Sequence, residues 1–256
     1  FVPSRGLGDV YKRQNAYSEY ISAYPDKLLS STSKLQFLLE KTPATNKVSN
    51  DVFTIKPNVK GEVTVKDNML TFIPKEKLKN NQEYSITLHL AKLFDNVEDG
   101  LKDFTVKAKT KELLFSVTTQ SPAVYDKDWY YIEGALMASD VIERDKLAQL
   151  ITVSYGGKEK TLKFDATEKY ASKVYFKIDS LQRFEDDKHV KLSWNGKSVA
   201  SKSKGDSDVV ITGKSNFKVL DINVADANKQ HIEISFSDPI KKLQDFHKEN
   251  FKSSIL

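Results

Sequence analysis

Apolar and polar side chains alternate one for one along segment after segment of this chain, and no other feature limits its fold so strongly. Tyr84, Ile86, Leu88 and Leu90 interleave with Ser85, Thr87 and His89, and Phe104, Val106 and Ala108 interleave with Thr105, Lys107 and Lys109. The same period recurs at Val174, Phe176 and Ile178, at Val190, Leu192 and Trp194, and at Ile232, Ile234 and Phe236. A period of two puts one set of side chains on each face of a strand, so these are half-buried strands of antiparallel sheets with one wet face.

Turn chemistry divides the strands into hairpins, because Gly and Asn tolerate the positive backbone angles of tight turns. Gly156-Gly157 is predicted to join 151–155 to 159–164, Asn195-Gly196 to join 190–194 to 197–200, and 66–68 to join 62–65 to 69–73. One helical segment is expected: Asp140 and Glu143 have the spacing of a capping box ahead of Leu147 and Leu150. The fold class is all-β, in tandem immunoglobulin-like sandwiches with one short helix.

Ser4 to Gln14 reads SRGLGDVYKRQ, the in-frame translation of a transposase-adaptor oligonucleotide, and residues 1–16 are set aside as an adaptor-derived leader. The arginines agree, since Arg5 and Arg13 fall here and only Arg144 and Arg183 elsewhere. The leader supplies two of the five formal positive charges. Beyond it Lys alternates with Asp and Glu, which excludes the clustered basic face that nucleic-acid binding requires. The chain has no cysteine, hence no disulfide, thiolate site or cysteine nucleophile. No apolar run approaches the roughly 20 residues of a transmembrane helix. Whether a signal or lipid anchor stands upstream is left open, and further sequence is expected downstream.

Module boundaries fall where strands run out. One is placed at 110–112 and another in the Ser, Lys, Gly and Asp of 201–207, ahead of a new start at Phe217. The expected modules are 17–111, 112–213 and an incomplete third, 214–256. The apolar positions Leu220, Ile222, Ile232, Ile234 and Phe236 of the third lack a partner sheet.

Candidate sites resolve into bland readings. Asp95, Asp99 and Gly100 match positions one, five and six of a calcium loop, with Glu98 and Asp103 nearby. Val97 and Val106 stand where position three and the bidentate position twelve need oxygens. Glu185, Asp186, Asp187 and His189 read as a polar turn, since consecutive residues of extended chain point apart. None of His89, His189, His231 and His247 has a hydroxyl or carboxylate at a spacing that makes a catalytic base. Trp129, Tyr130 and Tyr131 form the most prominent aromatic run. It suits either sugar stacking or, preferably, a strand whose aromatics alternate between core and interdomain contact. No catalytic, cofactor-binding or metal residue is nominated.

An ordered series of marks carries a resemblance. The segments IKPNVKG (55–61), LTFIP (70–74), Leu78 and EYSITL (83–88) resemble bacterial immunoglobulin-like domains, with Pro57 and Pro74 ending strands and Gly61 permitting a bend. The later segments AVYD (123–126), DSLQR (179–183), LSWNGK (192–197), FKVL (217–220) and FSDPI (236–240) make 17–256 similar to the N-terminal region of Bacteroidetes-type alpha-2-macroglobulin-like proteins. That resemblance implies macroglobulin-type sandwiches in a protease-trapping protein, in which a bait segment is cut and a Cys-Gly-Glu-Gln thioester captures the attacker. Without cysteine this portion holds no thioester, so it is expected to be non-catalytic scaffold of an envelope protein in the periplasm or at the cell surface. Neighbouring domains of the same chain are its expected partners, with proteases engaged through the whole protein and a membrane tether upstream. The rival readings are a surface adhesin or carbohydrate-binding array, and accessory domains of a secreted hydrolase.

Overall fold

The computed structural model describes residues 16–44, 48–225 and 231–238. Residues 4–14 and His247, singled out above, lie outside that range. The chain forms two compact units, the first of residues up to 113 together with 139–141, the second of 114–138 and everything from 142 on.

The first unit is a sandwich. One sheet has the order β1-β3-β6-β5, from β1 (Ile21–Ala23), β3 (Leu35–Leu39), β5 (Gly61–Lys66) and β6 (Met69–Pro74). The other has the order β2-β8-β7-β4, from β2 (Leu28–Leu29), β4 (Phe53–Lys56), β7 (Glu83–His89) and β8 (Asp103–Thr110), in which only β2 and β8 run parallel. The alternating residues become the core: Leu35, Phe37, Leu39, Leu70 and Phe72 of one sheet share a buried cluster with Phe53, Ile55, Tyr84, Ile86, Leu88 and Phe104 of the other. Burying each such side chain stabilises the fold by about 1.5–3 kcal/mol. Phe53 lies at the middle, with ring centroids 5.3 Å from Phe37 and 5.9 Å from Phe72.

Local turns follow the sequence in part. β5 and β6 are joined at Asp67-Asn68, with Asp67 at φ 52°. Leu90 does not extend its strand but opens the short helix α1 (Leu90–Leu93), whose two leucines are buried. Gly61 serves close approach rather than a bend, because a Cβ there would stand 2.3 Å from the ring of Phe72 and 2.6 Å from the carbonyl of Ile73.

In the second unit, one sheet runs β10-β11-β15-β14 with β9 also on β11. It comprises β9 (Phe115–Thr119), β10 (Ala123–Val124), β11 (Trp129–Glu143), β14 (Leu162–Asp165) and β15 (Tyr170–Gln182). The other runs β13-β12-β16-β17, from β12 (Ile151–Tyr155), β13 (Lys158–Lys160), β16 (Lys188–Asn195) and β17 (Lys204–Ile211). A hairpin of β18 (Val219–Ala225) and β19 (His231–Phe236) belongs to the same unit. Tyr130, Ile132, Leu136, Val174, Phe176 and Ile178 of the first sheet and Ile151, Val153, Val190 and Leu192 of the second are buried.

Three local expectations need correction. The strand after Gly156-Gly157, both at positive φ, is split: β13 pairs with β12, and beyond Thr161 the chain crosses to pair as β14 with β15. Asn195-Gly196 does not turn into a strand at 197–200. Asn195 Oδ1 accepts the N–H of Lys197, a 3-10 turn spans Lys197–Val199, and the strand that pairs the full length of β16 is β17. Much of 201–207, read as a polar connection, is therefore strand. An edge strand needs only its backbone to pair, so its side chains are free to be polar. The helix at 140–150 is likewise a 3-10 segment, Arg144–Gln149, with no side-chain cap, and Asp140 lies in β11.

Candidate functional site

The nominated polar clusters are taken up in turns and cross-strand bonds. Asp99 sits in a 3-10 turn, Asp99–Leu101, with its side chain 94% exposed and paired to Lys102 at 2.5 Å, an interaction that holds its carboxyl below the ordinary range. Asp103 turns instead to His89. In the acidic turn only Asp187 is engaged as an acceptor hub. It takes the N–H of Gly213 at 2.8 Å, the amide of Asn216 at 3.1 Å and the ammonium of Lys218 at 2.7 Å, and those bonds, the Gly213 N–H foremost, hold its carboxyl far below the usual range. His189 points elsewhere, to Asp208 at 2.7 Å across the β16–β17 pair. No group of three or more potential metal-ligating side chains converges among the described residues.

His89 has the partners that sequence spacing failed to supply. Its Nδ1–H donates to Asp103 Oδ1 at 2.6 Å, since a carboxylate can only accept, and its Nε2 is hydrogen-bonded to Thr54 Oγ1 at 2.8 Å. Thr54, His89 and Asp103 come from β4, β7 and β8, with His89 and Asp103 directly opposed in register. The signal was the β7–β8 register, which puts residues 14 apart face to face. A hydroxyl, imidazole and carboxylate in line is the arrangement of a nucleophile relay. Here the orienting carboxylate is 61% exposed on an open sheet, where water competes for the imidazole. In a working triad that carboxylate is buried and donors stand ready for the oxyanion.

Among the described residues Arg183 is the most enclosed charge, its side chain 1% exposed. Nε donates to the carbonyl of Thr212 at 2.8 Å, NH2 to that of Gly213 at 2.8 Å, and both terminal nitrogens grip Asp238 at 2.5 and 2.9 Å. The Tyr130 hydroxyl donates to the carbonyl of Ser237 at 2.5 Å alongside. Asp238 raises the Arg183 pKa against the cost of burial, so the charge persists. This buried cation spends four of its five N–H donors within the protein and holds the β18–β19 hairpin.

The aromatic run splits by face. Tyr130 is fully buried, while Trp129 (40% exposed) and half-buried Tyr131 face outward. Tyr131 packs on Tyr125 with ring centroids 4.6 Å apart, and the Lys177 ammonium lies 3.8 Å from the Tyr131 centroid. Asp179 accepts the Tyr125 hydroxyl at 3.2 Å and Lys163 at 2.9 Å. Further along the same sheet face lies an open depression of about 410 Å³ beside Ala135 and Tyr175 that the sequence reading missed.

The class defined by these features is an all-β protein of sandwich units built mostly from antiparallel sheets. No protein-family model and no curated protein matches the chain. Among the solved structures that match is the S-layer protein rSbsC(31-844), at 10% identity and a TM-score of 0.25 over 85% of this chain and 44% of that one. The chain spans less than half of that protein, and so loose a superposition carries no functional inference. No described helix is long and apolar enough to cross a membrane.

Proposed function

We propose that this chain is a non-catalytic scaffold segment of an envelope protein of the alpha-2-macroglobulin kind, located in the periplasm or at the cell surface. The observation that carries the scaffold reading is where the charged groups go: Asp187, Arg183 and Asp103 all serve turns, hairpins or adjacent strands. Groups spent in this way hold geometry, and catalysis needs them converging on one reacting atom. The protease-trap reading rests on the ordered strand and turn marks from 55–61 to 236–240.

Two measurements test it. Reading the encoding locus on both sides should reveal further sandwich modules and an irregular bait segment; a glycosidase or autotransporter domain there would overturn the macroglobulin assignment. The purified chain should not turn over ester, peptide or glycoside substrates. Turnover that survives repurification and disappears in His89→Ala would overturn the non-catalytic reading and make the Thr54–His89–Asp103 line an active site.

A further inference from the structure

We propose that the depression on the outer face of the β9-β11-β15-β14 sheet binds a neutral saccharide. Sheet register builds it. Ala135 on β11 stands opposite Thr118 of β9 on one side and Tyr175 of β15 on the other, and Tyr175 stands opposite Asp165 of β14. With neighbouring strands about 4.8 Å apart, this row is about 14 Å long, room for a short oligosaccharide. The small methyl of Ala135 between larger neighbours makes the floor. Along the next row Glu133 faces Lys177, which faces Lys163.

The chemistry of the walls selects the ligand. Tyr175 is 52% exposed, and Lys173 lies over its ring at 4.8 Å, which leaves the opposite face for the C–H surface of a sugar ring. The two lysines of the wall are committed elsewhere: Lys177 lies over Tyr131, and Lys163 pairs with Asp179. Lys173, the third lysine here, is drawn over the Tyr175 ring, so an anionic ligand would meet no cation that is not already engaged. What remains is the carboxylates of Glu133 and Asp165 and the amide of Gln120, all exposed at the rim. Carboxylates only accept and an amide does both, a set that suits adjacent hydroxyl groups. One apolar ring face with a few convergent polar groups is the make-up of a small-ligand site. This inference is independent of the scaffold reading, which stands whether or not sugar binds.

The test is amide chemical-shift mapping of the full chain with maltotriose, cellotriose and chitotriose, and inorganic phosphate as the anionic comparison. Saturable shifts centred on Thr118, Ala135 and Tyr175 are expected with at least one trisaccharide and none with phosphate. Tyr175→Ala should weaken binding about tenfold or more, Tyr175→Phe should retain it, and Trp129→Ala, outside the depression, should leave it unchanged. Because Tyr175 is exposed, its substitution leaves the core intact, and unchanged shifts elsewhere verify this. No saturable shift with any of the three sugars, a phosphate response at these residues, or binding that survives Tyr175→Ala would each overturn the proposal.

Discussion

Three donors converge on Asp140: the Ser30 hydroxyl at 2.5 Å, the Ser31 N–H at 2.8 Å and the Asn80 amide at 2.6 Å, all within the first unit. Burial opposes its charge, but the Ser30 and Ser31 bonds outweigh burial and hold the carboxyl below the ordinary range. Asp140→Ala would strand those donors, and a loss of about 2–3 kcal/mol is expected in urea unfolding. Because the folded pKa is depressed, the contribution is complete above the ordinary carboxylate value of about 3.8 and is lost as pH falls through the lower folded value. The stability gap between parent and variant should accordingly narrow in strong acid; a gap that stays constant would mean the carboxylate's charge is not what stabilises. A second residue is constrained by space. A Cβ on Gly134 would lie 2.3 Å from the Phe176 ring and 2.6 Å from the carbonyl of Thr118, so Gly134→Ala should cost about 1–3 kcal/mol in thermal unfolding. The capping-box spacing points to a helix cap at Asp140 because local spacing cannot reveal donors 60 to 110 residues away.

Elements were legible where side-chain pattern and backbone demand coincide. Residues 83–89 bury every second position, as their alternation requires. The turns at 67–68 and 156–157 fall where Asp, Asn and Gly permit positive φ. Legibility failed at the start of β17, where 204–208 is polar and alternates between exposed and half-buried, so that its strand signal is the ladder to β16; the buried residue, Ile211, comes at the far end. The turn before it holds Ala200 in the left-handed region at φ 55°. A side chain there costs about 1–2 kcal/mol, partly offset by the freedom glycine brings to the unfolded chain. Ala200→Gly should therefore raise the melting temperature by the equivalent of about 0.5–1 kcal/mol, whereas a strand at 197–200 would make the same change destabilising. Cross-strand constellations such as Thr54–His89–Asp103 stayed invisible for a related reason: each lies within a well-read strand, but only register puts them side by side.

On the scale of the whole molecule, the β18–β19 hairpin is held firmly at its base and exposes apolar side chains further out. Ile222, Val224 and Ile232 are 59%, 71% and 65% exposed, while Ser237 and Asp238 are tied to Tyr130 and Arg183. Exposed apolar faces of this kind promote self-association. Ile222→Thr combined with Ile232→Thr should narrow the size distribution seen by light scattering without lowering the melting temperature; an unchanged distribution would show that this face does not drive association. The base of the hairpin also bears on how the protein is made. Arg183 awaits a carboxylate 55 residues later in the chain, and Tyr130 awaits an acceptor 107 residues later. At a ribosomal pace of about 5–20 residues per second, the guanidinium is translated about 3–11 s before its counter-ion. The carbonyls of Thr212 and Gly213 come 29 and 30 residues on, so the nascent second unit passes first through an interval with none of these partners and then through one with the carbonyls alone, and native burial of the cation is completed only when the ribosome has moved past the hairpin.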